Sequence, residues 1–157
     1  MRIESVHAIL LIHGAYALQL RDDKPHIAGP GLWGLFGGTL KTGEVPEVGL
    51  LRELEEELGI TLSQCRLFCA FDGTSEFSSA PKRWHFFEVD ASDIWQGHTL
   101  REGQAAGVFA FPEIANLSMT PMTRQILSDH HSLAEVSQSV VRRVVEHLGH
   151  GQQPVGK

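Results

Sequence analysis

The sequence has few of the residues on which several classes of protein depend. Only two cysteines, Cys65 and Cys69, occur among 157 residues, and they lie four positions apart. They do not complete a zinc site without a second pair, and a disulfide between near neighbours in a strand has poor geometry. We therefore expect reduced thiols, which is typical of a cytoplasmic protein.

Positive charge is also scarce. The chain has 13 Lys and Arg against 19 Asp and Glu, which gives a formal net charge of −6. No cluster of basic residues forms a patch of the kind that neutralises several phosphates, so long nucleic acid is not expected as a partner. A small phosphorylated ligand stays compatible, because a bound metal ion can supply the positive charge.

Long apolar runs are missing too. The run at residues 6–12, interrupted by His7, is too short to span a membrane and lacks the basic flank and cleavage site of a secretory signal. We expect a strand there and no membrane partner. Hydrophobic residues at 42% and charged residues at 20% are typical of a globular protein. The length suits a single domain, predicted at residues 1–148, followed by a flexible tail at 149–157.

The order of apolar, glycine and proline residues predicts the secondary structure. Strands are expected at 5–12, 16–21, 66–72, 83–89 and 107–111. Loops are expected at 22–31 and 73–81. Helices are expected at 46–58, 121–129 and 133–148, with a helical turn at 112–117. Strands on both sides of a central helix predict a mixed β-sheet between helical layers. The helix at 133–148 either completes the core or supports a homodimer.

The helix at 46–58 carries an unusual concentration of carboxylates. At about 100° per residue, Glu53, Glu56 and Glu57 fall on one face. An apolar stripe lies away from them, formed by Leu51, Leu54 and Leu58. Like charges at this spacing destabilise an isolated helix by about 0.2–0.5 kcal/mol per close pair. The glutamates alone leave two interpretations open: a solvated acidic face, which is commoner, or a site for a hard divalent cation.

The spacing across residues 38–60 favours the metal site. Gly38 is followed after five residues by Glu44 and after seven more by the run R-E-L-E-E-E-L-G-I at 52–60. This segment resembles the signature of the Nudix hydrolases at every fixed position. A chance match in a chain of this length is on the order of one in a million or rarer. The resemblance implies an α/β/α sandwich around a mixed sheet.

The resemblance also implies an activity. Nudix hydrolases cleave a pyrophosphate bond in a nucleoside diphosphate linked to a further group, with Mg²⁺ or alternatively Mn²⁺. A (deoxy)nucleoside triphosphate, giving a monophosphate and pyrophosphate, is the first expectation for this chain; a nucleotide sugar or a dinucleotide is the second. A Nudix-fold nucleotide-binding regulator without catalysis is a third interpretation. Such domains usually have eroded box carboxylates, and this chain retains all of them.

The matching positions imply roles for the residues of the box. Glu53, Glu56 and Glu57 match the family's catalytic metal ligands, and Gly38 matches the glycine whose backbone carbonyl often joins them. Arg52 matches an arginine that orients a glutamate through an ion pair.

Two further glutamates lie outside this set. Glu44, at the turn before the helix, suits a role in holding the loop as well as one in catalysis. Glu102 begins an E-G-Q segment that resembles one in MutT-type nucleotide pyrophosphohydrolases. That resemblance implies a metal ligand or general base, with a solvated loop acid as the alternative.

Substrate contacts are predicted from position and chemistry. Arg21 stands where relatives often place a phosphate-binding cation, and Lys24 is a second candidate. Trp33, Phe36 and Trp84 are candidates for stacking on a base, although core packing is the commoner role of such rings. The run Phe36-Gly37-Gly38 stands where many relatives have Pro-Gly-Gly, which weakens the transfer of any subgroup's substrate preference.

Overall fold

The computed structural model describes residues 2–75 and 77–149. Within that part of the chain the strands are β1 Ile3–Ile12, β2 Ala15–Leu20, β3 Trp33–Gly34, β4 Phe36–Thr39, β5 Arg66–Ser75, β6 Ser78–Asp90 and β7 Ala105–Phe109. The helices are α1 Pro46–Leu58, α2 Phe111–Ile114 and α3 Pro121–Gly149, and a 3₁₀ turn spans Trp95–Gly97. The predicted tail at 149–157 lies outside the described residues, apart from Gly149 at the end of α3.

Strand β1 lies at the centre of the sheet. It pairs in parallel with β6 along one edge and antiparallel with β2 and β4 along the other. Strands β3 and β7 pair with β2, and β5 pairs with β6, all antiparallel. One parallel pair among antiparallel neighbours makes this the mixed sheet that the sequence predicted.

Helices cover both faces of the sheet. Successive residues of a strand point to opposite faces, so Val6 and Leu10 are buried on one side and Ile9 on the other. Helix α1 packs against the first face through Leu50, Leu54 and Leu58. Ile114 of α2 and Ile126 and Leu127 of α3 pack against the second. This arrangement confirms the predicted α/β/α sandwich.

The ends of α1 agree with the prediction, but its apolar stripe is shifted. Pro46 occupies the first turn, where a missing N–H costs little. Gly59 ends the helix with a φ of 63°, a conformation that favours glycine, and its N–H bonds to the carbonyl of Glu55. Leu50 is fully buried and Leu51 only half-buried. The buried leucines therefore follow i, i+4 spacing from position 50. The prediction that Leu51 belongs to the apolar stripe is wrong, because Leu50 takes that place.

The predicted loop at residues 73–81 is also wrong. Strands β5 and β6 continue through most of it, with Gly73 opposite Lys82 and Ser75 opposite Ser78. Pairing with a neighbouring strand outweighs the turn preference of the glycine, serine and proline residues in this segment. The hairpin extends the sheet by several residues beyond the predicted strands.

The two predicted late helices form the single helix α3. His130, in the expected gap, is buried between Tyr16 and Glu88. Its Nδ1 lies 2.8 Å from the Tyr16 hydroxyl and its Nε2 lies 2.6 Å from Oε2 of Glu88. These contacts hold the helix against the sheet at residues 130–132. That stretch has no proline or glycine to end a helix, but it also has no apolar residues at helical spacing from which a helix could be predicted.

Three smaller points complete the comparison with the sequence. Strand β7 begins and ends two residues earlier than expected. Cys65 and Cys69 are free thiols, each partly buried. Among the described residues, none of the helices combines the length and apolar character required to cross a membrane.

Candidate active site

A cleft of about 480 Å³ lies where β1, β4, α1 and the β5–β6 hairpin meet. This volume falls within the range of small-ligand sites. Seven of its lining residues are predicted site residues from different parts of the chain: Gly38, Glu53, Glu57, Glu102, Arg21, Trp33 and Trp84.

Gly38 allows the sheet to approach α1 closely. It lies opposite Val6 in the pairing of β4 with β1. A Cβ at Gly38 would stand 2.6 Å from the carboxylate of Glu53, which is closer than real Cβ atoms approach a neighbour. Only glycine therefore leaves room for the Glu53 carboxylate beside β4.

Glu57 is the most deeply buried acid of the box. It is 4% exposed and accepts a hydrogen bond from the N–H of Gly37 at 3.1 Å. Burial, and next the negative charge of Glu102, raise the pKa of Glu57 to about 9. Burial also raises the pKa of Glu53, against the opposing effect of Arg52. Without a bound cation, Glu57 is therefore protonated at neutral pH.

Glu102 reaches this position because its segment bridges two elements. On one side, the N–H of Arg101 donates to the carbonyl of Glu57 at 2.8 Å. On the other, Nε2 of Gln19 donates to the carbonyl of Glu102 at 2.9 Å, and the N–H of Gln104 donates to Leu20. The segment thus joins the end of α1 to β2 and brings Glu102 close enough to Glu57 for its negative charge to raise the pKa of Glu57.

Arg52 connects the turn before α1 to the acids of the helix. It forms a bidentate pair with Glu44, from Nε at 2.7 Å and from Nη2 at 2.9 Å. Its Nη1 donates to Glu53 at 2.9 Å and to Glu56 at 3.1 Å. The hydrogen bonds that Glu44 accepts from Arg52 and from the Lys41 N–H lower the pKa of Glu44 to about 2. Donation to Glu44 in turn raises the pKa of Arg52. The contacts of Glu44 therefore hold the loop.

Glu56 lies outside the lining of the cleft. Its side chain is 54% exposed and is held by Arg52. Among the described residues, no three His, Cys, Asp or Glu side chains are already grouped so that they could hold a metal ion. The structure thus brings Glu53, Glu57 and Glu102 to one cleft but not Glu56. The carboxylate oxygens of Glu53, Glu57 and Glu102, with the backbone beside Gly38, are the donor types that Mg²⁺ prefers. The residues present therefore fit this ion by the chemistry of their donors, and the side chains have to move together to bind it.

Two cations line the same cleft as the acids. Nε of Arg21 donates to the carbonyl of Ala28 at 2.6 Å, which holds the guanidinium at the cleft. Nζ of Lys82 lies 4.1 Å from the centroid of the Trp84 ring, a cation–π contact. Burial, and next the charge of Arg21, lower the pKa of Lys82. Lys24 instead pairs with Asp22 at 3.4 Å and is 58% exposed, outside the cleft lining.

The aromatic candidates differ in their access to a ligand. Phe36 is fully buried in the core, so it has the commoner role of such rings, core packing, and is excluded as a candidate for stacking on a base. Trp84 is 9% exposed and stacks on His7 with ring centroids 5.3 Å apart. Trp33 packs edge-on against Phe109 at 4.9 Å and lines the cleft while only half-buried. Trp33 is therefore the more accessible of the two tryptophans.

Sequence reasoning missed His7, Lys82 and Phe77 as lining residues. Burial, and next the charge of Lys82, lower the pKa of His7 to about 3, so the ring is neutral. A signal for two of them exists in the strand period of two residues. Ser5 and His7 are two residues apart and lie on the same face of β1. Lys82 and Trp84 are likewise two residues apart and lie on the same face of β6. Phe77 lies at the hairpin that was predicted as a loop, and no pattern pointed to it.

Comparison with solved structures supports the assignment of the fold as an α/β/α sandwich of the Nudix type. The solution structure of the E. coli ORF135 protein superposes with a TM-score of 0.69 at 27% identity, over 85% of this chain and 92% of that one. A structure from a study of MutT from Aliivibrio salmonicida and Vibrio cholerae gives a TM-score of 0.64 at 28% identity, over 82% and 99% of the two chains. Both likenesses span more than four fifths of this chain.

Similarity in sequence is strongest over a shorter stretch. The 8-oxo-dGTP diphosphatase of Proteus vulgaris is 44% identical over 55 residues, which are 35% of this chain. The match spans just under half of that enzyme, 47% of its length. A family model described as NUDIX domain matches residues 2–129, most of the chain. The protein therefore belongs to the Nudix family.

Proposed function

We propose that this protein hydrolyses the pyrophosphate bond of a (deoxy)nucleoside triphosphate, releasing a nucleoside monophosphate and pyrophosphate. The observation that carries the proposal is one cleft lined by three carboxylates, Glu53, Glu57 and Glu102, and two cations, Arg21 and Lys82. The similarity to the Proteus 8-oxo-dGTP diphosphatase supports a nucleoside triphosphate ahead of other nucleotides. The cytoplasm, with its Mg²⁺ and free nucleotides, is the location that fits this reaction.

Mg²⁺ is the proposed cofactor, with Mn²⁺ as a substitute. Glu53, Glu57 and Glu102 would hold it together with the carbonyl of Gly38, and Glu56 would join only after leaving Arg52. The bound ion supplies neutralisation of phosphate oxygens and a lower pKa for bound water. Because Glu57 is protonated without metal, binding requires it to lose a proton.

The residues of the cleft divide the remaining work. Water adds to one phosphorus of the anhydride, the bond from that phosphorus to the bridging oxygen breaks, and a carboxylate accepts the proton of the water. Glu53 and Glu102 are the candidate proton acceptors. Arg21 and Lys82 bind the phosphate oxygens, and Trp33 offers the accessible aromatic surface for the base.

Two other functions remain as alternatives. A nucleotide sugar or a dinucleotide contains the same bond, so the acidic side of the cleft would serve it equally. A nucleotide-binding regulator needs the cleft but no catalysis. The intact box carboxylates favour an enzyme over a regulator.

A substrate panel tests the proposal. Nucleoside triphosphates, 8-oxo-dGTP, a nucleotide sugar and a dinucleotide are incubated with the protein and Mg²⁺ or Mn²⁺, and products are separated by chromatography. We expect monophosphate and pyrophosphate from a triphosphate, and a loss of more than about 100-fold in kcat in Glu57→Gln. The matched control is Glu55→Gln, an exposed acid of the same helix outside the cleft, which keeps the rate.

Each alternative gives a different result. Hydrolysis restricted to the sugar or dinucleotide assigns the second substrate class. A nucleotide that binds with metal but stays intact assigns the regulator. No turnover of any compound, or full activity in Glu57→Gln, contradicts the proposal.

A further inference from the structure

The second half of α3 extends away from the rest of the domain. Up to His130 the helix packs on the sheet, but every residue from 135 to 148 is exposed. At a rise of about 1.5 Å per residue this segment is roughly 20 Å long. We name residues 133–148 the projecting segment.

The projecting segment is poorly suited to standing alone in water. Most of the stability of a helix in a protein comes from packing of its apolar face and not from helix propensity. This segment contains five β-branched valines, which have lower helix propensity than alanine. A helix of this composition is stable when another apolar surface covers it.

Its apolar side chains form one continuous surface. Seven large hydrophobic residues are between 52% and 71% exposed: Leu133, Val136, Val140, Val141, Val144, Val145 and Leu148. At about 100° per residue they fall within a sector roughly 180° wide. Arg142 and Glu146 project from the opposite side, so the surface is bordered by charge.

The order of these residues has a two-fold pattern. The apolar positions 133, 136 and 140 are mirrored by 148, 145 and 141 about the point between Val140 and Val141. In an antiparallel pair with its axis at that point, Leu133 lies at the level of Leu148 of a second copy, and Val136 at the level of Val145. Val144 lies at the level of Ser137, whose small side chain leaves room for it.

We propose that a second copy of this chain covers this surface in an antiparallel, two-fold symmetric helix pair. In an isologous interface the same surface of both subunits meets, so that surface has to be complementary to itself. The mirrored spacing meets this requirement, whereas binding to a different protein would not require it. Fourteen apolar side chains, seven from each copy, provide on the order of 1,000 Å² of buried surface. This reaches the size at which a specific interface is expected, about 1,000 Å².

Charge favours the same site for self-association. The whole chain carries a formal net charge of −6, so most of its surface repels a second copy. The projecting segment holds two arginines and two glutamates and is formally neutral. Two copies can approach there without net repulsion.

Measurement of mass tests the association. We expect sedimentation equilibrium of the full chain at micromolar concentration to give twice the monomer mass of 17.3 kDa. The double variant Val140→Glu with Val141→Glu places four like charges at the axis and halves the mass to that of the monomer. Ser139→Glu, on the polar side of the same helix, keeps the dimer. A monomeric full chain, or a double variant that stays dimeric, overturns the proposal.

Cross-linking tests the orientation. In a background where Cys65 and Cys69 are replaced by serine, Leu133→Cys and Leu148→Cys variants are produced together and oxidised. The antiparallel pair gives a mixed disulfide between the two variants, and neither variant alone forms a cross-linked dimer. Cross-linking of Leu148→Cys by itself, the result of a parallel pair, contradicts the antiparallel arrangement.

Discussion

The backbone N–H of Arg101 donates a hydrogen bond to the carbonyl of Glu57 at 2.8 Å, at the C-terminal end of α1. This bond anchors the loop that carries Glu102, so that two acids far apart in the sequence share one cleft. Because Glu57 is buried and close to the negative charge of Glu102, its raised pKa means that Glu57 retains a proton in the absence of a cation. Protonation therefore links the stability of the domain to the proposed metal site.

Stability of the metal-free protein is expected to fall as the pH rises. The pKa of Glu57 is about 9 in the folded protein, whereas the ordinary pKa of a glutamate is 4.5. The folded state thus holds the proton more tightly, and the contribution of Glu57 is fully present below pH about 4.5 and lost as the pH rises through about 9. Thermal unfolding between these limits, in a chelator, measures it. Glu57→Gln does not titrate and should show a smaller decline; equal declines in the two proteins contradict this assignment.

Gly38→Ala is expected to damage the site without unfolding the domain. The added Cβ would meet the Glu53 carboxylate at 2.6 Å and force it aside. We expect kcat for the proposed hydrolysis to fall by about 10–100-fold, the range seen when groups that orient metal ligands are lost. Gly97→Ala is the control, because its Cβ meets nothing within 4 Å. Comparable losses in the two variants would show that position 38 has no special role.

Arg52 is expected to act by positioning the acids. Arg52→Ala removes hydrogen bonds to Glu44, Glu53 and Glu56 together and should lower kcat by about 10–100-fold. Arg52→Lys keeps the charge but loses the planar fork that makes the bidentate pair with Glu44. It should recover only part of the rate, and the apparent affinity for Mn²⁺, measured by titration, should follow the same order. Full recovery by lysine would indicate that charge alone matters.

Lys82 and Lys24 provide a matched pair for the phosphate contacts. Lys82 lines the cleft above Trp84, whereas Lys24 is exposed beside Asp22. Lys82→Ala should raise KM for the triphosphate by about 10-fold, or about 1.4 kcal/mol of binding, with a smaller change in kcat. Lys24→Ala should leave both constants unchanged. A larger rise in KM for Lys24→Ala than for Lys82→Ala would indicate that the loop at 22–31, and not Lys82, contacts the phosphates.

The local pattern of the sequence determined the core of the site. Proline at the first turn, glycine after the last, and acids at i, i+3 and i+4 are sufficient to place α1 at residues 46–58 and to put Glu53 and Glu57 on one face. These features depend on interactions within a few residues, which a sequence shows directly. The spacing of the box also identified the family, and with it the sandwich fold, while the separate E-G-Q segment predicted a role for Glu102.

Only the tertiary structure decided which of these residues share the cleft. Glu56 and Glu57 are adjacent in sequence, yet Glu56 is held outside by Arg52 while Glu57 is buried against Gly37. Lys82 enters the site because β6 pairs with β1 and the hairpin before it extends further than the local composition indicates. Burial, strand pairing and the contacts of a side chain with distant residues depend on the whole fold. The sequence shows which chemical groups the site residues have, but only the folded structure shows which of them lie close together.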